Sequence, residues 1–129
     1  MFLKKVLILA FIIILASCSL DRSNPLDPSN SGIQAPGKVT GIKVTINDFN
    51  YIDISWNPMI NVDGFYIYRS QSFDGLYSIL EDYITSPTDS LFEDQNVIIQ
   101  YNYYYYRMSA FINVGGKKLE GYRSEPKSW

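Results

Sequence analysis

Few residues of this 129-residue chain could carry out chemistry. It has no histidine, which excludes catalytic triads, proton shuttles and metal sites built on imidazole. It also lacks a G-x-S-x-G nucleophile elbow, a phosphate-binding loop and a D-x-[DN]-x-[DN]-G calcium loop. Two acid pairs remain, Glu81-Asp82 and Glu93-Asp94, and a glycosidase needs only two suitably spaced carboxylates. Adjacent residues of a strand point to opposite faces, so the two acids of each pair are not expected to converge. With these motifs absent, we predict that the protein is not an enzyme and holds no metal or cofactor.

The single cysteine, Cys18, follows an N-terminal leader. Lys4 and Lys5 precede an unbroken apolar run over residues 6–16, which is the layout of a secretory signal. The run is shorter than the roughly 20 apolar residues of a membrane-spanning helix. One cysteine cannot form an intrachain disulfide, so Cys18 needs another role.

Leu15-Ala16-Ser17-Cys18 resembles the lipobox of bacterial lipoproteins. The resemblance implies cleavage before Cys18, acylation of that cysteine, for example with palmitate, and attachment to a membrane of the bacterial cell envelope. Each buried methylene contributes about 0.8 kcal/mol, so two or more acyl chains make a lasting anchor. Ser19 stands where aspartate retains enterobacterial lipoproteins at the inner membrane, so the resemblance implies an outer membrane. Whether the protein faces the periplasm or the cell surface stays open.

The segment after the cysteine is rich in Ser, Asn, Asp, Pro and Gly. It has too few apolar groups to offset the entropy of ordering, so we predict a disordered tether. A flexible segment of roughly 17 residues spans about 20 to 25 Å on average. The chain therefore divides into a signal peptide (1–17), a lipidated cysteine with its tether (18–35) and a folded domain (36–129).

The folded part is expected to be all-β. Aromatic residues make up 16% of the chain, with eleven tyrosines, and rings suit a pleated surface better than a helix. Apolar residues alternate with polar ones at 42–46 and 52–56, which indicates half-buried strands. Further strands are expected at 65–69, 77–80, 90–92, 103–112 and in the final stretch to Trp129. Gly115-Gly116 permits a tight hairpin before that last stretch.

Four segments in order resemble fibronectin type III domains. Residues 36–42 are similar to the family's opening, 52–58 to its second strand, 63–70 to its third and 104–111 to its sixth. The resemblance runs from Pro36 to about Ser124 and implies an immunoglobulin-like β-sandwich of about seven antiparallel strands. It places Trp56 in the structural core, and Tyr104 at a corner where its hydroxyl bonds backbone across a turn. The chain departs from the family in its short last strand, which contains Pro126.

Alternation also predicts a surface. The residues expected to face the core are Phe65, Ile67, Tyr104, Tyr106, Met108 and Ala110. Those turned outward are then Tyr66, Tyr68, Tyr103, Tyr105 and Arg107. We hypothesise that these five form an aromatic face that binds a protein or a glycan, since tyrosine and arginine anchor interfaces. The alternative is that the tyrosines serve strand propensity and cross-strand pairing.

Charge limits the partners. Without Lys4 and Lys5 the mature chain has 11 − 2 = 9 basic against 13 acidic side chains, so nucleic acid is not expected as a partner. Six acidic residues lie within 74–94 and five basic ones within 107–127, a segregation that we interpret as solvated faces. The sequence predicts an envelope lipoprotein whose domain mediates non-enzymatic protein binding or adhesion. The alternatives are a structural spacer or scaffold subunit and an accessory glycan-binding module.

Overall fold

The computed structural model describes residues 32–80 and 86–129. Seven strands form there, close to the ranges expected from the alternation of apolar and polar residues. They are β1 (Lys43–Ile46), β2 (Ile52–Ser55), β3 (Gly64–Ser70), β4 (Ser78–Ile79), β5 (Leu91–Asp94), β6 (Tyr105–Val114) and β7 (Lys117–Glu120).

The strands form two antiparallel sheets. One has the order β1-β2-β5 and the other the order β4-β3-β6-β7. In β2, Ile52 and Ile54 are fully buried while Asp53 and Ser55 are half-buried on the other side, as the period of two requires. Trp56 meets Phe65 of the opposite sheet edge to face, with ring centroids 5.3 Å apart. The predicted all-β sandwich of seven antiparallel strands is therefore confirmed.

The hairpin between β6 and β7 has the geometry expected from its glycines. Gly115 and Gly116 both have positive φ, 55° and 76°, a conformation in which a Cβ is strained. Beyond β7 the chain continues irregularly beside β6. Tyr106 and Lys127 exchange two backbone hydrogen bonds of 2.8 and 2.9 Å. Pro126, which has no N–H to donate, stands just before that pair.

Three connections lie together at one end of the sandwich, which we call the loop end. It consists of the β1–β2 connection (47–51), the β3–β4 connection (71–77) and the β5–β6 connection (95–104). The register places them together, because Asp94 at the end of β5 pairs with Ile52, and Ser70 at the end of β3 pairs with Tyr105.

The described chain enters at the opposite end of the sandwich. Phe111 marks that end, since it pairs with the first residue of β3 and the last residue of β7. The carbonyl of Pro36 lies against Gly121, just after β7, so closely that a Cβ on this glycine would overlap it. The predicted tether thus joins the domain away from the loop end.

Several predictions concern residues that lie outside the described ranges. They include Cys18 with its lipobox, most of the tether, and the acid pair Glu81-Asp82. Within residues 32–80 and 86–129, no helix is long and apolar enough to cross a membrane.

Candidate functional site

The predicted aromatic face lies on the outer surface of β3 and β6. Tyr68 pairs with Arg107 there, and Tyr105 lies at the start of β6. Tyr66, Tyr105 and Arg107 are half-buried, whereas Tyr103, just before β6, is 68% exposed. The five side chains therefore differ widely in how much surface they offer to a partner.

Tyr68 corrects the expectation of an open face. It points away from the core as predicted, but it is only 4% exposed. The guanidinium of Arg123 lies 3.8 Å from the centre of its ring, and its hydroxyl donates a 2.6 Å hydrogen bond to Glu120 Oε1. The covering residues come from the end of β7 and just beyond, so the alternation within β3 could not reveal them.

The phenol of Tyr68 belongs to a small polar network. Ser109 Oγ donates to the same Glu120 oxygen at 2.6 Å. Burial raises the pKa of Tyr68 to about 12, and the hydrogen bond to Glu120 and the charge of that carboxylate act in the same direction. Tyr68 is therefore a neutral structural donor at physiological pH.

Other cations lie over rings on this face and beside it. Lys118 Nζ lies 4.7 Å from the ring centre of Phe111 and 5.6 Å from that of Tyr66. Arg107 lies 5.5 Å from the ring of Tyr77 and donates through Nε to the carbonyl of Ser124. Contacts of this kind stabilise by about 0.5 to 1 kcal/mol each at exposed sites. The face therefore resembles a second, smaller packing layer more than an open binding surface.

Trp56 and Tyr104 lie in the core, at 4% and 5% exposure. The hydroxyl of Tyr104 accepts a 3.1 Å hydrogen bond from the backbone N–H of Ile98, six residues upstream. This bond fixes the β5–β6 connection against the start of β6, in the manner of a tyrosine corner.

A buried ion pair holds the same connection, and sequence reasoning missed it. Asp94 is fully buried and accepts hydrogen bonds from Arg69 Nη1, at 2.8 and 3.1 Å, and from the hydroxyl of Tyr106 at 2.8 Å. Burial, followed by the charge of Asp94, raises the pKa of Tyr106 above its usual value near 10. The sequence signal that could have revealed this buried carboxylate is the alternation in β5, which places Asp94 on the same inward side as Phe92. Glu93 turns the other way, so this acid pair does not converge.

The loop end carries most of the exposed large hydrophobic side chains. Six of the ten large hydrophobic residues that are exposed in the described ranges lie there. They are Phe49 (76%), Phe73 (55%), Leu76 (95%), Ile98 (60%), Tyr101 (84%) and Tyr103 (68%). Sequence reasoning singled out only Tyr103. The others stand in turns, where no strand period shows which side chains are covered.

A cleft of about 450 Å³ opens beside these side chains. Leu76 and Ile98 stand at it from two different connections, and Leu80, Tyr104 and Arg69 also line it. The rest of the lining is polar, namely Ser70, Gln71, Ser78 and Asn96, so the cleft is more polar than a typical small-molecule pocket. The cleft could receive one side chain of a docked protein.

The charged residues within the loop-end connections themselves are acidic, although Arg69 and Arg107 of the neighbouring strands lie close by. The three connections contain Asp48 and Asp74 and no lysine or arginine. In β2 and β5, close to this end, Asp53 pairs directly with Glu93. Among the residues that the structure describes, no group of three or more acidic or cysteine side chains could hold a metal ion.

Comparison with solved structures identifies the fold. The chain is similar to the FN1–FN3 domains of chicken CNTN1, with a TM-score of 0.59 and 20% identity over 74% of this chain and 30% of that one. It is also similar to an Fn3-like protein from Clostridium thermocellum, with a TM-score of 0.54 and 23% identity over 70% and 90% of the two chains. No protein-family model and no curated protein matches the chain. The domain therefore has a fibronectin type III-like fold.

Proposed function

We propose that this chain is a lipid-anchored protein of the bacterial cell envelope whose fibronectin type III-like domain binds a protein partner without catalysis. The observation that carries the proposal is the concentration of exposed apolar side chains at the loop end. Contiguous exposed apolar surface marks interaction sites, and buried aromatic and aliphatic anchors dominate the energy of protein interfaces.

The position of the loop end supports this role. The described chain enters at the other end, where Pro36 meets Gly121. In a domain attached there by a flexible tether, the loop end is the part farthest from the point of attachment. The tether, about 20 to 25 Å in typical span, leaves room for a partner to approach.

The anchor itself rests on the sequence. The lipobox motif around Cys18 supports acylation, and Ser19 favours an outer membrane. Metabolic labelling with a palmitate analogue tests the lipid directly. Label is expected on the wild-type chain and none on Cys18→Ser. Equal labelling of both would contradict the proposed anchor.

Glycan binding is a second candidate, favoured by one feature of the loop end. The exposed ring of Tyr103 lies nearly parallel to Trp129, with 5.6 Å between centroids and 12° between planes. A flat, fixed ring is a surface on which a sugar can stack. Affinity for envelope polysaccharide that is lost in Tyr103→Ala, without any protein adduct, would favour this function over protein binding.

Site-specific photo-crosslinking in living cells tests the main proposal. A photoreactive residue at Tyr101 reports on the loop end, and one at Ile60 serves as a control at the other end. Ile60 is matched in exposure, 85% against 84%, and lies between β2 and β3. We expect a discrete protein adduct from position 101 only, and its loss when Leu76 is also changed to Ser. No adduct from an abundant, lipidated protein would favour the spacer alternative.

A further inference from the structure

An unfavourable pair of charges adjoins the loop end. Asp53 of β2 and Glu93 of β5 stand directly opposite each other, half-buried on the side of the first sheet that faces away from the core. Like charges in directly opposed positions of a sheet destabilise it. The isolated domain therefore carries a cost at this position that an apolar or neutral pair would not impose.

Neutral amides, not cations, hold the two carboxylates. Asn47 Nδ2 donates to Asp53 Oδ1 at 3.0 Å and to Glu93 Oε2 at 2.7 Å, and Gln95 Nε2 donates to the other oxygen of Glu93 at 2.7 Å. Within the described ranges, the salt bridges join other residues. The pair is thus oriented by hydrogen bonds and has no salt-bridge partner among the described residues, and the nearest cation along the sheet is Lys43, diagonal to Asp53.

We infer that the protein partner places a lysine or arginine against Asp53 and Glu93. The apolar centre of the partner's contact surface then covers the exposed hydrophobic side chains of the loop end. This inference rests on the proposed function and specifies the chemistry of its partner. A cation between the two carboxylates would remove their repulsion, and an arginine fork suits carboxylate oxygens especially well. The acidic connections exclude anionic lipid as the favoured occupant, because Asp48 and Asp74 would repel it.

Stability and binding should respond in opposite directions when one of these charges is removed. Asp53→Asn removes one of the opposed charges, so it should raise the melting temperature of the free protein. The same change should weaken partner binding, because it removes one acceptor for the cation. A residue whose neutralisation stabilises the fold but impairs binding is a recognition residue and not a structural one.

The probe comes from a random peptide library displayed on phage. The library is selected for binding to the full chain and counter-selected against its Leu76→Ser variant. We expect the recovered peptides to combine apolar residues with lysine or arginine. Their affinity for Asp53→Asn and for Glu93→Gln should fall about tenfold at low salt, and the loss should shrink as salt rises. Asp89→Asn, a neutralisation near the start of β5 at the other end, should leave it unchanged.

Two outcomes would overturn the inference in distinguishable ways. Peptides that need Leu76 but have no excess of basic residues and tolerate Asp53→Asn would refute the cationic partner and leave loop-end binding intact. A selection that yields no Leu76-dependent peptide would contradict the proposed function itself.

Discussion

Two surfaces of this domain are built from the same kinds of residue and end up with opposite properties. On the outer face of β3 and β6, Tyr68 is covered by Arg123 and bonded to Glu120. At the loop end, Tyr101 is 84% exposed, and the three connections contain no lysine or arginine that could cover it. Tyr68 is structural because the fold supplies a cation and a carboxylate for it, whereas Tyr101 stays exposed.

The positions of the basic residues account for this difference. Lys118 and Arg123, which the sequence showed only as part of a basic stretch, lie over rings of the outer face, and Arg107 lies over Tyr77 beside it. They stabilise the second sheet and at the same time hide its tyrosines. The acidic loop end is left as the surface with exposed apolar groups.

The largest expected effect is on the covered face. Tyr68→Ala removes a buried ring and leaves Glu120 without one of its donors, so the free energy of unfolding should fall by about 3 to 5 kcal/mol. Tyr101→Ala should change it by no more than about 0.5 kcal/mol. Urea denaturation measures both. Equal losses would show that the two surfaces do not differ as described.

A smaller effect is expected from the carboxylate beneath Tyr68. Glu120 accepts hydrogen bonds from Tyr68 and Ser109, and bonds to a charged group are stronger than neutral ones. Glu120→Gln should therefore cost about 1 to 3 kcal/mol of unfolding free energy. Glu125→Gln is the matched control, because that side chain is 75% exposed and its ion pair with Lys38 should contribute little. Similar values for the two variants would rule out the network.

Alkaline pH should destabilise the domain through its buried phenols. The pKa of Tyr68 is about 12 in the folded state and near 10 when unfolded, so the unfolded chain loses this proton first. The stability contributed by Tyr68 is complete below pH 10 and is lost as pH rises toward 12. Tyr106, with a raised pKa, acts in the same direction. Urea midpoints measured between pH 8 and 11 should decline, and less steeply in Tyr68→Phe. A flat profile would contradict the buried phenols.

The cation over Tyr68 should contribute less than the ring it covers. Arg123→Met keeps an apolar chain in place but removes the guanidinium, and should cost about 0.5 to 1 kcal/mol. The variant should also make Tyr68 more reactive toward a tyrosine-modifying reagent. Unchanged reactivity would mean that some other group shields the ring.

The smallest effect on stability is expected at the loop end, together with the largest effect on binding. Leu76 is 95% exposed, so Leu76→Ser should alter the free energy of unfolding by no more than about 0.5 kcal/mol. The crosslinked adduct at Tyr101 should nevertheless disappear in this variant. Thermal unfolding and mass spectrometry on the same preparation give the two readouts. Loss of the adduct with large destabilisation would indicate a structural role for Leu76.

Much of the fold followed from local pattern. Alternation located β2 through Ile52 and Ile54, and Gly115-Gly116 located the last hairpin, because both signals depend only on neighbours in sequence. The segment that follows β7 was less predictable. Its irregular run beside β6 depends on which backbone groups of β6 are left to pair with residues such as Ser124 and Lys127.

The candidate site was harder to predict because accessibility is a property of the assembled fold. The direction of Tyr68 followed from its strand, but its burial depends on Arg123, 55 positions later in the chain. Likewise, the register that brings the three connections together is set by pairings such as Asp94 with Ile52. Leu76 and Ile98 show no periodic signal in the sequence, and only the packed structure places them at one cleft.

Tyrosine labelling, in intact cells and in extracted protein, tests the central claim most directly. A small tyrosine-selective reagent and mass spectrometry compare the same residues in the two preparations. We expect Tyr101 and Tyr103 to react in extracted protein and to be protected in cells, while Tyr68 and Tyr106 stay unreactive in both. Modification of Tyr68 as fast as Tyr101, or equal reactivity of Tyr101 in cells and extract, would contradict a covered sheet face and a partner-bound loop end.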